Sequence, residues 1–313
     1  MRVLQIIEPG RPLAEAVVDD PVPGPGDIVV RVGAAGICRS DVHYRSGTRP
    51  VPGLPLVPGH EVAGTVAAVG SDVDRPAVGE RVCLHYLTTC GGCEYCRRGA
   101  EQFCVAGRMI GLNREGGYAE AIVIPARNAF QIPDGVTTEA AAVMMCSTAT
   151  SFHALRRARL GVGEAVAVFG AGGLGMSAVQ LARAMGAAEV FAVDINPVKL
   201  RIAADLGAVP VDAAQGDPVA AIGRLSAGRG VDVALELVGS PHTMRQAVAA
   251  LAPQGRAVAV GITHEAFGLD PFNDLVLREA EVVGSADHLA SEIPILLEMA
   301  RRGTLQFSRI VTQ

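Results

Sequence analysis

Hydrophobic positions along the chain fall into two textures that change near residue 138. Up to about Pro133 they come in short β-branched runs, DIVVRVGAAG, HEVAGTVAAVG, ERVCLHYL and YAEAIVIPA, broken by Gly and Pro at turn-like intervals. Such punctuated runs predict an antiparallel, β-rich domain. Beyond Thr138 the pattern turns Ala-rich and helical, and then apolar strands alternate with helical segments: AVAVFGAG, MSAVQLARAMGA, EVFAVD, PVKLRIAADLGA, VDVALELVG, MRQAVAALAPQG and RAVAVGI. Alternation at this spacing predicts βαβ units around a parallel sheet. A chain of 313 residues exceeds what one core usually serves, so two domains are expected.

Composition removes several function classes. The net charge is −5 with both signs interspersed, which leaves no basic stripe for nucleic acid. No run approaches the ~18 apolar residues of a membrane span, and MRVLQIIEPGRP lacks the apolar core of a signal peptide. A cytoplasmic protein is expected. There the seven cysteines would stay reduced, so clusters of them read as metal ligands rather than disulfides.

Two motifs carry chemistry. AVAVFGAGGLGMSAVQLA sets Gly170, Gly172 and Gly175 as G-x-G-x-x-G between a strand and a helix, with Gly173 and Leu174 inside the turn. In that context the glycines predict a dinucleotide site, with the pyrophosphate at the helix N-terminus. A glycine turn of a flavodoxin-like fold is the plainer alternative. The next strand ends in Asp194, where a carboxylate accepts from a ribose diol and repels a 2′-phosphate, favouring NAD over NADP. Lys199, the only lysine of the chain, follows five residues later and is expected near the adenosine ribose. The second motif is CGGCEYCRRGAEQFC, in which Cys90, Cys93, Cys96 and Cys104 are spaced to close a tetrahedron around zinc. An iron–sulfur cluster also takes four cysteines, but the position of the fourth and the missing proline after it favour zinc. A shell of four thiolates leaves no place for substrate, so this site is structural.

An open metal site must then come from scattered residues. GICRSDVH offers Cys38, Ser40, Asp41 and His43; VPGHEVAG offers His60 and Glu61; MMCSTATSF offers Cys146. Taken singly, each has a plain reading as core or surface. Taken in order with the four-cysteine loop and VFGAGGLG, they resemble the zinc-dependent alcohol dehydrogenases of the medium-chain dehydrogenase/reductase family over nearly the whole chain.

The resemblance implies an α/β protein with a doubly wound, Rossmann-type NAD-binding domain at 149–284 and a β-rich GroES-like catalytic domain at 1–148 that holds both zinc sites. Residues 285–313 are implied to be a shortened return segment toward the catalytic domain, because the family normally continues for a few tens of residues. Cys38, His60 and Cys146 are implied as ligands of a catalytic zinc, with Glu61 as an alternate ligand. Asp41 orients the histidine, Ser40 holds the substrate oxygen, and His43 ends a proton relay. Arg39 and Thr150 are implied to contact the cofactor, as are Val238, Val260, Gly261 and Ile262 at later strand ends, and Tyr86 to wall the substrate pocket. The implied reaction is reversible hydride transfer between a primary or secondary alcohol and NAD, with polyol and threonine dehydrogenases as relatives and a non-catalytic NAD-binding protein as the rival class. A homodimer or homotetramer is the family's common state. Cys83 is read as a buried structural thiol, and His85, His153, His242, His264 and His288 lie outside the motifs.

Overall fold

The computed structural model describes residues 1–311, which form two compact units. Residues 1–149 and 288–303 make the first; residues 150–287 and the segment from Thr304 make the second. Among the described residues no helix is long and apolar enough to cross a membrane.

The first unit is built on a five-stranded antiparallel sheet in the order Ala121–Pro125, Asp27–Gly36, Glu61–Val69, Arg81–Leu84, Ala129–Gln131. The strand Ala121–Pro125 shows why the sequence reads as half-buried: Ile122 and Ile124 point inward while their neighbours are partly exposed, the two-residue period of a pleated strand. Those two isoleucines join Ile28, Val30, Val62, Val66, Val82 and Leu84 in one apolar cluster. Each fully buried side chain of this size contributes roughly 1.5–3 kcal/mol. Two small ribbons flank the sheet, Arg2–Gln5 with Ala14–Val17 and Leu87–Thr88 with Arg108–Met109.

The second unit holds a six-stranded sheet whose neighbours all pair in parallel, in the order Val209–Asp212, Glu189–Asp194, Ala165–Phe169, Val231–Glu236, Leu251–Ala259, Glu281–Gly284. Its middle strands do not alternate. Val231–Glu236 is buried at every position, as a strand covered on both faces must be. The chain leaves Ala165–Phe169 toward one edge and later returns to its other side, so the strand order reverses between Ala165–Phe169 and Val231–Glu236. Ligands of doubly wound sheets bind outside the carboxyl ends of the strands at such a point. Phe169 therefore feeds Gly170 into the place the fold reserves for a cofactor.

Candidate metal centres and dinucleotide site

Register assembles the first site. The strands Asp27–Gly36 and Glu61–Val69 pair so that Gly36 faces Glu61. Two residues beyond Gly36 lies Cys38, and one residue before Glu61 lies His60, so the pairing brings segments separated by some two dozen residues to one corner. The fit depends on a missing side chain: a Cβ at Gly36 would fall 2.0 Å from Glu61 Oε2. Cys146 arrives from elsewhere, on a π-helical turn, Met144–Thr148, that continues the helix Thr138–Val143. A π turn re-aims side chains relative to an α-helix and is frequent at functional sites.

The result is a buried set of four donors. Ligand atoms of Cys38, His60, Glu61 and Cys146 all lie within 4.8 Å of one another, and the two sulfurs are 3.8 Å apart. Tetrahedral zinc with Zn–S bonds of ~2.3 Å needs a sulfur separation of about 3.8 Å. Cys38 is also the N-cap of the helix Arg39–Ser46: its Sγ accepts from Ser40 N, and the Asp41 carboxylate returns to Cys38 N at 3.0 Å. A thiol at a helix N-terminus ionises easily.

The electrostatics ask for a cation. Cys38 is pulled down to about 4 by the Cys146 thiol, against burial and with help from His60. Burial opposes charge on His60, yet the Asp41 carboxylate and the Cys38 sulfur push it up to about 10. Glu61 is pushed up to about 8, by burial first and by the Cys38 charge second. Protons are being recruited into a pocket of soft and hard anions that a divalent metal would satisfy better. On donor chemistry and spacing, these residues fit zinc.

Around the four donors, Asp41 Oδ1 lies 3.5 Å from His60 Nδ1, which leaves Nε2 for a metal. The Tyr86 ring is 2 % exposed and packs edge-on to His60 at 5.4 Å between centroids. Ser40 and His43 are half-buried on the helix Arg39–Ser46, three residues apart and so on one face; Arg39 is exposed.

The four-cysteine loop is also closed by geometry. Sulfur separations are 3.5 Å for Cys90–Cys104 and Cys93–Cys96, and 4.0 Å for Cys90–Cys96. All four thiols are free and within 4.8 Å of one another, a zinc-sized tetrahedron. Cys83 stands apart, fully buried in its strand, its thiol pushed up to about 12 by desolvation.

In the second unit the glycines each answer to a different contact. Gly170 has φ +101, and a Cβ there would meet Val238 Cγ2 at 2.8 Å. A Cβ on Gly175 would strike Gly170 O at 2.0 Å, so only glycine lets the helix Gly173–Ala184 lie this close to the strand. At Gly172 a Cβ would meet no described atom within 4 Å, which leaves an open cradle. The helix start is uncapped as well. The helices Pro197–Asp205, Pro218–Leu225 and Pro241–Ala249 each spend a side-chain oxygen, from Asn196, Asp217 and Ser240, on their first N–H groups, whereas Gly173–Ala184 has no side-chain cap. Open space in front of unspent N–H groups fits a pyrophosphate. Asp194 ends its strand with Oδ2 accepting from Ala171 N at 2.8 Å and lying 3.8 Å from Lys199 Nζ. Val238 and Ile262 are exposed at their strand ends, and Val260 and Thr150 half-buried.

Three features were not anticipated from the sequence. Glu236, 2 % exposed at the end of an apolar strand, accepts from Val238 N and Gly239 N at 2.9 Å and from Thr243 Oγ1 at 2.7 Å, fixing the loop that carries Val238. His85 and His288 meet in the first unit with Nδ1 3.0 Å from Nε2, both buried and both against Tyr86. Tyr118 donates to Asp41 Oδ2 at 3.1 Å. A Glu inside an apolar run and a His–His pair 203 positions apart give no local pattern to find.

Comparison with known proteins agrees with this geometry. Residues 24–134 match the alcohol dehydrogenase GroES-like domain family, and residues 173–302 the zinc-binding dehydrogenase family. An NAD-dependent alcohol dehydrogenase of Sulfurisphaera tokodaii is 33% identical, covering 98% of this chain and 91% of its own. Among solved structures, the alcohol dehydrogenase TADH from Thermus sp. ATN1 superposes with a TM-score of 0.91 at 33% identity, over 100% of this chain and 92% of its own. Galactitol-1-phosphate dehydrogenase from Escherichia coli gives 0.93 at 27% identity over 100% and 92%.

Proposed function

The chain belongs to the zinc-binding alcohol dehydrogenase family, and from that membership we propose that it is an NAD-dependent oxidoreductase interconverting a small primary or secondary alcohol with its aldehyde or ketone. The observation that carries this reading is the buried convergence of Cys38, His60, Glu61 and Cys146. Four thiolates would close the loop site, whereas here Cys38, His60 and Cys146 would hold the ion and leave a fourth position that Glu61 or substrate could take.

Zinc bound there supplies a Lewis acid for the alcohol oxygen, and NAD supplies the hydride acceptor. The chain's own residues do the rest. Cys38, His60 and Cys146 would hold the metal, and Glu61, in the same cluster, would be its alternate ligand. Ser40 takes the hydroxyl proton, and His43, three residues on along the same helix face, passes it to water; an imidazole can both accept and release a proton. Tyr86 forms an apolar wall beside His60. In the nucleotide site, Gly170, Gly172, Gly173, Leu174 and Gly175 seat the pyrophosphate, and Asp194 with Lys199 takes the adenosine ribose. Arg39, Thr150, Val238, Val260 and Ile262 complete the cofactor contacts. Cys90, Cys93, Cys96 and Cys104 hold a second, structural zinc. Residues 1–148 would thus supply both metals and residues 149–284 the cofactor.

A homodimer or homotetramer is the assembly we propose. The strand Glu281–Gly284 is a sheet edge, and Phe272, Val276, Leu277 and Val282 are exposed on or just before it, an apolar edge that a second copy would cover. Seven unbridged thiols favour a cytoplasmic setting.

The deciding experiment is an initial-rate screen of alcohols, diols, sugar alcohols and L-threonine with NAD and NADP, alongside metal analysis. Two zinc ions per chain and alcohol-dependent NADH formation are expected. Equal rates with both cofactors would remove the role given to Asp194, and a protein that binds NAD yet turns over none of these substrates would be the non-catalytic relative.

A further inference from the structure

The Asp41 carboxylate faces His60 Nδ1 at 3.5 Å, and three other groups donate to its oxygens. Oδ1 accepts from Gly59 N at 3.2 Å, and Oδ2 from Cys38 N at 3.0 Å. One of these backbone donors belongs to the proposed ligand Cys38 and the other to the residue before His60, and together they fix where the carboxylate sits. The remaining partner is a side chain from a different segment: the hydroxyl of Tyr118 reaches Oδ2 at 3.1 Å, with Gly36 O as a second acceptor at 3.3 Å. A hydroxyl has one proton to give, and a charged acceptor outbids a neutral carbonyl.

Tyr118 is built into this place rather than left lying against it. Its N donates to Pro58 O at 3.0 Å and its O accepts from Leu4 N at 2.8 Å, while Gly117 N donates to Gly59 O at 2.8 Å. The ring lies over Gly59, which has φ +94 and at which a Cβ would come within 2.5 Å of Tyr118 Cδ1. Gly59 therefore does two things: it turns the chain into His60 and makes room for the ring. Burial and the neighbouring Asp41 charge also hold the phenol's pKa above its ordinary value, so it stays a donor.

Resting on the reading of Cys38, His60 and Cys146 as a zinc site, we infer that Tyr118 is a positioning residue for the metal, acting through Asp41. Its hydroxyl pins the carboxylate in the rotamer that faces His60 Nδ1, and so keeps Nε2 aimed at the ion. Partners at this remove from a metal typically change its affinity by about 10–100-fold when removed.

Tyr118→Phe tests this cleanly, because it keeps the ring over Gly59 and deletes only the hydroxyl. Zinc-loaded protein is mixed with a chromogenic chelator, and the two sites are told apart with Cys38→Ser, which keeps the loop zinc alone. In Tyr118→Phe the zinc that Cys38→Ser lacks should leave about 10-fold faster, the loop zinc should leave at the wild-type rate, and the thermal midpoint should move by no more than about 3 °C. Release from both sites at wild-type rates, or an equal acceleration of both, overturns the inference. A double-mutant cycle tests the route: in an Asp41→Asn background Tyr118→Phe should add little, and a full additional effect there would show that the phenol does not act through Asp41. If the wild-type protein carries no zinc that Cys38→Ser removes, the reading of the site fails first, and this inference with it.

Discussion

The two cysteine sites of the first unit hold sulfurs at nearly the same separations, 3.5–4.0 Å in the loop and 3.8 Å between Cys38 and Cys146. They reach that spacing by opposite routes. In the loop fifteen consecutive residues supply every ligand, backbone turns set the geometry, and Cys90 is exposed. In the other site the donors are spread from Cys38 to Cys146, and their meeting depends on strand register, a glycine with no room for a methyl, and a π turn. A site made by local turns can form as soon as its metal arrives. A site made by tertiary structure exists only once the fold does, and in return it can be buried, asymmetric and open at one position.

That contrast can be broken most severely at Cys38. Cys38→Ser should remove one zinc of two and lower alcohol-dependent NADH formation by about 10³-fold or more, with the loop zinc retained on metal analysis. Unchanged turnover would refute the division of labour between the sites. Cys93→Ser should do the reverse. It should lose the loop zinc and several kcal/mol of stability, seen in urea titration, while molecules still folded keep most of their turnover at low temperature.

A third probe acts between the sites, because His85 sits five residues before Cys90 and packs on Tyr86 beside His60. Burial pushes His85 down to about 4. Its folded value lies below the ordinary ~6.5, so the fold holds it neutral. The associated stability is complete above about pH 6.5 and is lost as pH falls through 4, by roughly 3 kcal/mol in all. Urea midpoints measured between pH 7 and pH 4 should show this acid limb, and His85→Gln should flatten it; an unchanged slope would show that another group titrates.

The smallest effect is expected from Gly36→Ala, which replaces none of Cys38, His60 and Cys146 and presses only on Glu61. The added methyl must displace the Glu61 carboxylate, at about 1–3 kcal/mol. Turnover should fall several-fold while release of the loop zinc stays as in wild type, and equal loss at both sites would mean that the two share one support.

The same contrast explains what could be read from the chain. The parallel sheet was legible because buried strands such as Val231–Glu236 are apolar at every position, and the four-cysteine loop because spacing alone defines it. Cys38, His60 and Cys146, three among several scattered candidates, were joined into one ligand set only by the family resemblance, since no local pattern unites them. Tyr118, Glu236 and the His85–His288 pair stayed hidden for a related reason. Tyr118 and the His85–His288 pair depend on which distant residues meet after folding, whereas Glu236 holds its own following loop, and an acid closing an apolar run gives no sign of that role. The division of the last residues was equally out of reach: 288–303 group with the first unit while the chain from Thr304 groups with the second, where Gln306 N donates to Gln180 Oε1 at 2.6 Å.

Lys199 has no second lysine to compete with it. It stands about half exposed beside Asp194, and the other amine, at Met1, is bonded to Val18 O and paired with Asp20. An acylating dye, a biotin ester or an activated resin therefore finds a single accessible side-chain amine on each chain, beside Asp194 at the proposed nucleotide site. Conjugation would be uniform from molecule to molecule, and a molecule already holding its dinucleotide would be shielded where an empty one is tagged.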